Sequence, residues 1–149
     1  MNDCTPTPGR EILLVEDNPG DVRLMREALR EVPYLGRLHA VDSVDQALDF
    51  LLQRNAFADA ARPNVVLLDL NLPRRDGLDL LDEMRGHDTI AGIPVIVLTS
   101  SASEEDRRRS YASVASAFVT KPQSLEAYVD LLHVVATWAS QAPQQEQLP

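Results

Sequence analysis

Val65-Val66-Leu67-Leu68-Asp69-Leu70-Asn71-Leu72-Pro73 is the stretch on which the fold turns. Four β-branched or Leu residues run without a polar interruption, a carboxylate follows, and a proline closes the segment. An apolar run of this kind is the pattern of a strand covered on both faces, as in a parallel sheet. Ile12–Val15 and Val95–Leu98 repeat the pattern, and Leu38–Val41 and Ala117–Val119 are more mixed runs.

Helical patterns fill the intervals. Asp21–Val32 places Val22, Met25, Leu29 and Val32 on one face. Ser43–Gln53 opens with Ser43 and Gln46 as a capping box. Leu78–Arg85 follows Gly77. Ser103–Tyr111 has Ser103 as its cap and Glu104, Glu105 and Asp106 in its first turn, where they complement the helix dipole. The last helix is expected from about Leu125 to Ser140, capped by Ser124. Strand and helix alternate through five units, which predicts an α/β doubly wound, five-stranded parallel sheet with helices on both faces. The expected domain covers residues 10–140, between polar tails at 1–9 and 141–149.

The 149 residues suit one domain, and 44% hydrophobic with 25% charged residues is an ordinary globular composition. Only 5% are aromatic, so the core is expected to be Leu, Val, Ile and Ala. A formal net charge of -9 disfavours nucleic acid and anionic membranes as partners. Cys4 stands alone, which excludes an intrachain disulfide. His39, His87 and His133 lack metal-ligand spacing. There is no signal-peptide pattern and no apolar run near the ~18 residues of a membrane span, so the expected location is cytoplasmic.

In doubly wound folds ligands lie beyond the carboxyl ends of the strands. Glu16 and Asp17 follow the first run, Asp69 the third, Thr99 and Ser100 the fourth, and Thr120, Lys121 and Pro122 the fifth. Taken singly, Glu16 and Asp17 also read as helix caps, Asp69 and Thr99 as turn formers, and Lys121 as an exposed loop lysine. Their coincidence at the right ends of the right strands favours a joint site. Three carboxylates brought together repel unless a cation intervenes, and oxygen ligands suit a hard ion such as Mg2+. A carboxylate nucleophile, a divalent cation, an ammonium and a hydroxyl together make a phosphoryl-accepting site.

These residues resemble the receiver domain of two-component response regulators from about Glu11 to Ser140. The resemblance rests on Leu14-Val15-Glu16-Asp17-Asn18, Leu67 to Pro73 with Asp76-Gly77, Val97-Leu98-Thr99-Ser100 and Val119-Thr120-Lys121-Pro122. It implies a flavodoxin-like sheet of order 2-1-3-4-5 with five helices. It further implies Asp69 as phospho-acceptor, with Glu16, Asp17 and Asp69 holding Mg2+ together with the backbone carbonyl of Asn71. Thr99 matches the switch hydroxyl, Lys121 the family's lysine and Phe118 the switch aromatic, and the Lys121-Pro122 bond is typically cis in such domains. The Asp17-to-Leu24 opening and the longer Arg54–Pro63 segment are similar to stand-alone regulators that partner phytochromes. The implied partner is therefore a sensor histidine kinase of phytochrome type.

The chain stops soon after the last helix, with no room for an output module, so signalling is expected through a changed surface or partner. On the last helix, Leu125, Val129, Leu132 and Ala136 form one apolar stripe, and Tyr128, Leu131, Val135 and Trp138 a second. The second stripe is read as a homodimer or partner surface anchored by Trp138; a broad core contact consuming both stripes is the alternative. Arg74-Arg75 and Arg107-Arg108-Arg109 are expected to be solvated, with kinase docking the alternative for the first pair. Two other classes stay open: a receiver-like scaffold acting without phosphorylation, and an aspartyl-phosphate phosphatase. The phosphatase is disfavoured because Asn71 stands where that class needs a second aspartate. The expected protein is a regulator and not an enzyme.

Overall fold

Apolar β-branched and Leu runs form the strands, and the capped amphipathic segments between them form the helices. The computed structural model describes residues 11–32, 36–99 and 117–147. In chain order the elements are β1 (Glu11–Val15), α1 (Pro19–Arg30), β2 (Arg37–Val41), α2 (Val44–Leu51), a 3-10 turn (Asn55–Phe57), β3 (Val65–Asp69), α3 (Gly77–Arg85), β4 (Val95–Thr99), β5 (Ala117–Thr120) and α4 (Leu125–Gln147). All five strands are parallel in the order β2-β1-β3-β4-β5, as the resemblance implied. Four of the five expected helices are seen; the expected Ser103–Tyr111 helix, Arg107–Arg109 included, lies outside the described residues.

Strand alternation divides the interior into two layers. Leu13, Val15, Val66, Leu68, Val95 and Val97 face α2 and α3, meeting Leu48, Phe50, Leu81 and Met84. Ile12, Leu14, Val65, Leu67, Ile96 and Leu98 face α1 and α4, meeting Met25, Ala28, Leu132 and Val135. Each such Leu or Val side chain contributes about 1.5–3 kcal/mol on burial, so the central strands β1, β3 and β4 are held from both sides.

Two helix boundaries differ from expectation. Asn18 caps α1, its side chain accepting from the N–H groups of Gly20 and Asp21, and Pro19 takes the first helical position, so the helix begins before Asp21. The backbone of α4 stays helical to Gln147, through part of the expected tail, because Gln, Ala and Glu dominate there. Pro143 removes one rung of its hydrogen-bond ladder without ending it. No helix among the described residues is long and apolar enough to cross a membrane. The Lys121–Pro122 bond is trans, the opposite of what the resemblance implied and the isomer that X–Pro bonds generally prefer.

Three of the four residues expected to form a homodimer or partner surface on the last helix are taken up by the core instead. Tyr128, Leu131 and Val135 are 1%, 5% and 0% exposed, packed with α1 and the sheet. Because α4 lies against both α1 and the sheet, it needs apolar residues around much of its circumference, and the core takes up Leu132 and Ala136 of the first stripe with Tyr128, Leu131 and Val135 of the second. Trp138 is helical in backbone, and its side chain lies outside the described set. Among the described residues, the large apolar side chains of α4 that meet solvent are Leu125 and Val134.

Candidate functional site

The carboxyl ends of β1 and β3 are neighbours on either side of the point where the strand order reverses, which is where this class of sheet binds ligands. Glu16 directly follows β1, and its N–H donates to the Val41 carbonyl at 2.9 Å, fixing the residue against β2. Its side chain is buried, and Oε2 accepts from the Asn18 N–H at 3.1 Å. Asp69 closes β3 and is 2% exposed; Oδ1 accepts from the Asn71 N–H at 3.0 Å, and Oδ2 from Lys121 Nζ at 3.0 Å. Gly77 lets α3 start against this strand end. A Cβ there would lie 2.7 Å from the Asp69 carbonyl oxygen and 2.9 Å from Leu70 Cα.

Glu16, Asp17 and Asp69 each offer an oxygen within 4.8 Å of the others. Lys121, the single lysine of the chain, is fixed through its N–H, which donates to the Thr99 carbonyl at 2.7 Å. Its ammonium reaches three carboxylates: Asp21 at 2.9 Å, Glu16 at 3.0 Å and Asp69 at 3.0 Å. With all groups ionised, Glu16, Asp17, Asp21 and Asp69 against Lys121 leave an excess of three negative charges. Burial pushes the Glu16 carboxyl up to about 7, opposed by its bond to Lys121 and reinforced by the nearby Asp69 charge. Burial alone would pull Lys121 down, but its bonds to Asp21, Asp69 and Glu16 outweigh it and hold the ammonium well above its ordinary value. An all-oxygen, anionic donor set with uncompensated charge fits a hard divalent cation.

Of the residues expected at the site, the structure brings together Glu16, Asp17, Asp69 and Lys121. Asn71 lies beside them through its N–H on Asp69, with its side chain exposed. Thr99 ends β4, buried, its hydroxyl donating to the Val119 carbonyl at 3.5 Å. Phe118 pairs in register with Val97 and packs half-buried against the layer covered by α2 and α3. Arg75 is not simply solvated: it pairs with Asp45 at 2.9 Å and Glu83 at 3.2 Å. Asp21 was missed. It lies in the first turn of α1, where an acidic residue is already explained by the helix dipole; its place one turn beyond Asp17 is the signal that could have found it.

This geometry defines a class: a doubly wound α/β domain with an acidic cation site at its switch point and a lysine bridging the strand ends. Residues 12–133 match the response regulator receiver domain, and the chain belongs to that family. It is 38% identical over 119 residues to the response regulator Rcp1 of Synechocystis sp., covering 80% of this chain and 81% of that protein. The phosphorylated cyanobacterial phytochrome response regulator RcpA superposes with a TM-score of 0.78 at 35% identity, over 89% of this chain and 95% of that one. The Mn2+-bound form of Rcp1 gives 0.72 at 32% identity, over 94% and 97%.

Proposed function

We propose that the protein accepts a phosphoryl group on Asp69 from a sensor histidine kinase of phytochrome type, with Mg2+ as the cation, and signals through a phosphorylation-dependent change of its surface. The observation that carries this reading is the Asp69 carboxylate, buried at a strand end with one oxygen on the Asn71 N–H and the other on Lys121. In the transfer an Asp69 oxygen attacks phosphorus, the bond from phosphorus to the histidine nitrogen breaks, and its electron pair leaves with that nitrogen. The product is an acyl phosphate. Glu16, Asp17, Asp69 and the Asn71 carbonyl would hold Mg2+, which when bound supplies neutralisation of the phosphoryl oxygens.

The chain's own residues do the rest. Lys121 stands over Asp69 and offers N–H donors to an incoming phosphoryl oxygen. The Thr99 hydroxyl sits at the same strand edge, where it makes a long bond to the Val119 carbonyl, and turns toward the new phosphoryl group. Phe118, between that strand end and the layer under α2 and α3, follows into the vacated space. The phytochrome-type kinase is supported by the likeness to RcpA, itself a phytochrome response regulator. Incubation with Mg2+ and acetyl phosphate tests the reading. An acid-stable, base-labile adduct is expected on the wild-type protein and not on Asp69→Asn; a wild-type chain that stays unmodified overturns it.

A further inference from the structure

A lysine ammonium has three N–H donors, and here each meets a different carboxylate. Glu16 and Asp69 belong to the acidic cluster suited to a cation, whereas Asp21 does not. Asp21 belongs to α1, whose first N–H groups are already capped by Asn18, so its carboxylate is not consumed in ending the helix. Its side chain is 26% exposed against 2% for the other two. Lys121 is thus bridged between two buried site carboxylates and one anchor on a neighbouring helix.

We propose that Asp21 is a positioning residue that keeps the Lys121 ammonium over Asp69 while phosphoryl transfer takes place. The inference rests on Asp69 being the acceptor. With all three carboxylates bound, Lys121 has no donor to spare for a phosphoryl oxygen. If Glu16 and Asp69 held a divalent cation, the two N–H donors they occupy would be freed, while the third would stay on Asp21. The long, flexible lysine stem would otherwise let a strongly hydrated ammonium swing into solvent. Asp21 therefore decides where the two released donors point.

The chain's single lysine makes the test clean, because it gives one side-chain ammonium signal in a 1H–15N correlation spectrum. Two variants are compared with the wild type: Asp21→Ala removes the acceptor, and Asp21→Asn removes the same charge but keeps an oxygen within reach. In the metal-free proteins the ammonium signal is expected in the wild type and Asp21→Asn and lost to exchange in Asp21→Ala. With saturating Mg2+ and acetyl phosphate, Asp21→Ala is expected to be phosphorylated about ten- to a hundredfold more slowly, since a misplacement of about 1 Å can cost as much as 10²-fold. Asp21→Asn is expected to stay within roughly threefold of wild type, as an amide oxygen still accepts from the ammonium. The Mg2+ dissociation constants of the two variants should agree with each other. An unchanged ammonium signal or a wild-type rate in Asp21→Ala overturns the proposal, as does an equal rate loss in both variants, which would make Asp21 a charge and not an anchor. Failure of the acceptor reading looks different: the wild-type chain itself would take up no phosphoryl group, while the ammonium signal would still report whether Asp21 holds Lys121.

Discussion

Gly77 and Tyr128 show how single atoms set limits around the site. At Gly77 the atoms a Cβ would strike belong to the main chain of Asp69 and Leu70, which cannot swing aside as a side-chain end could. Gly77→Ala is expected to lower stability by roughly 1–3 kcal/mol, the range for overpacking; an unchanged urea midpoint would contradict the close approach. Tyr128 buries a hydroxyl that has no hydrogen-bond partner among the described residues. Burial, and then the Asp21 charge, push its phenol up to about 12. The unfolded chain ionises near 10, so the fold favours the neutral phenol. That contribution is whole below pH ~10 and is lost as pH rises toward ~12. Tyr128→Phe is therefore expected to match or exceed wild-type stability at pH 7, since an unsatisfied buried hydroxyl costs about 1–3 kcal/mol. Its advantage should widen between pH 10 and 12 in denaturant titrations. A less stable Phe variant would mean that the hydroxyl has a partner. At this scale Glu16, Asp17, Asp69 and Lys121 were legible because each falls within two residues of the end of an apolar run. Asp21 was not, since an acidic residue in a helix's first turn has a sufficient local explanation.

Elements are held in place as much by their connections as by their faces. The loop between β3 and α3 is tied down by Arg75, whose guanidinium reaches Asp45 on α2 and both Asp79 and Glu83 on α3. These bonds raise the already high Arg75 value further, the Asp45 bond first, so the guanidinium stays charged. The preceding residue, Arg74, adopts φ 69°, in the left-handed region. Exposed ion pairs are worth about 0.2–1 kcal/mol each, so Arg75→Ala is expected to cost about 1 kcal/mol at low salt and less near 1 M NaCl. A salt-independent loss would assign the effect to packing. Helix starts were readable where a cap announces them, as at Ser43, which accepts from the Gln46 N–H. The run of α4 through Pro143 was not readable, because proline normally argues for a stop. The second stripe of α4 was read as an outer surface for a related reason: periodicity counts apolar faces but does not say how many neighbours a helix has.

For the whole molecule, alternation of strand and helix is enough to expect a parallel doubly wound sheet. The order of the strands is not, because apolar runs of similar composition are interchangeable as far as periodicity goes; it came from the motif resemblance. Pairing joins distant segments throughout: Ile12 lies beside Val65, Asp69 beside Leu98 and Val97 beside Phe118. Glu16, Asp69 and Lys121 therefore stay apart along the chain until β1, β3 and β5 have taken their places. Viewed as kinetics, the acidic cluster is a late product of folding, since non-local pairings form at the cost of loop closure. Mg2+ bound there is expected to act as a brake on unfolding while leaving refolding almost untouched. At about a hundredfold excess over its dissociation constant the ion adds about 2.7 kcal/mol, which corresponds to unfolding slowed roughly a hundredfold. Stopped-flow refolding and unfolding with and without Mg2+ would measure both limbs, and a faster refolding limb would mean that the carboxylates meet before the sheet closes. On this view an ion that readied Asp69 for phosphoryl transfer would also set how long a folded molecule lasts.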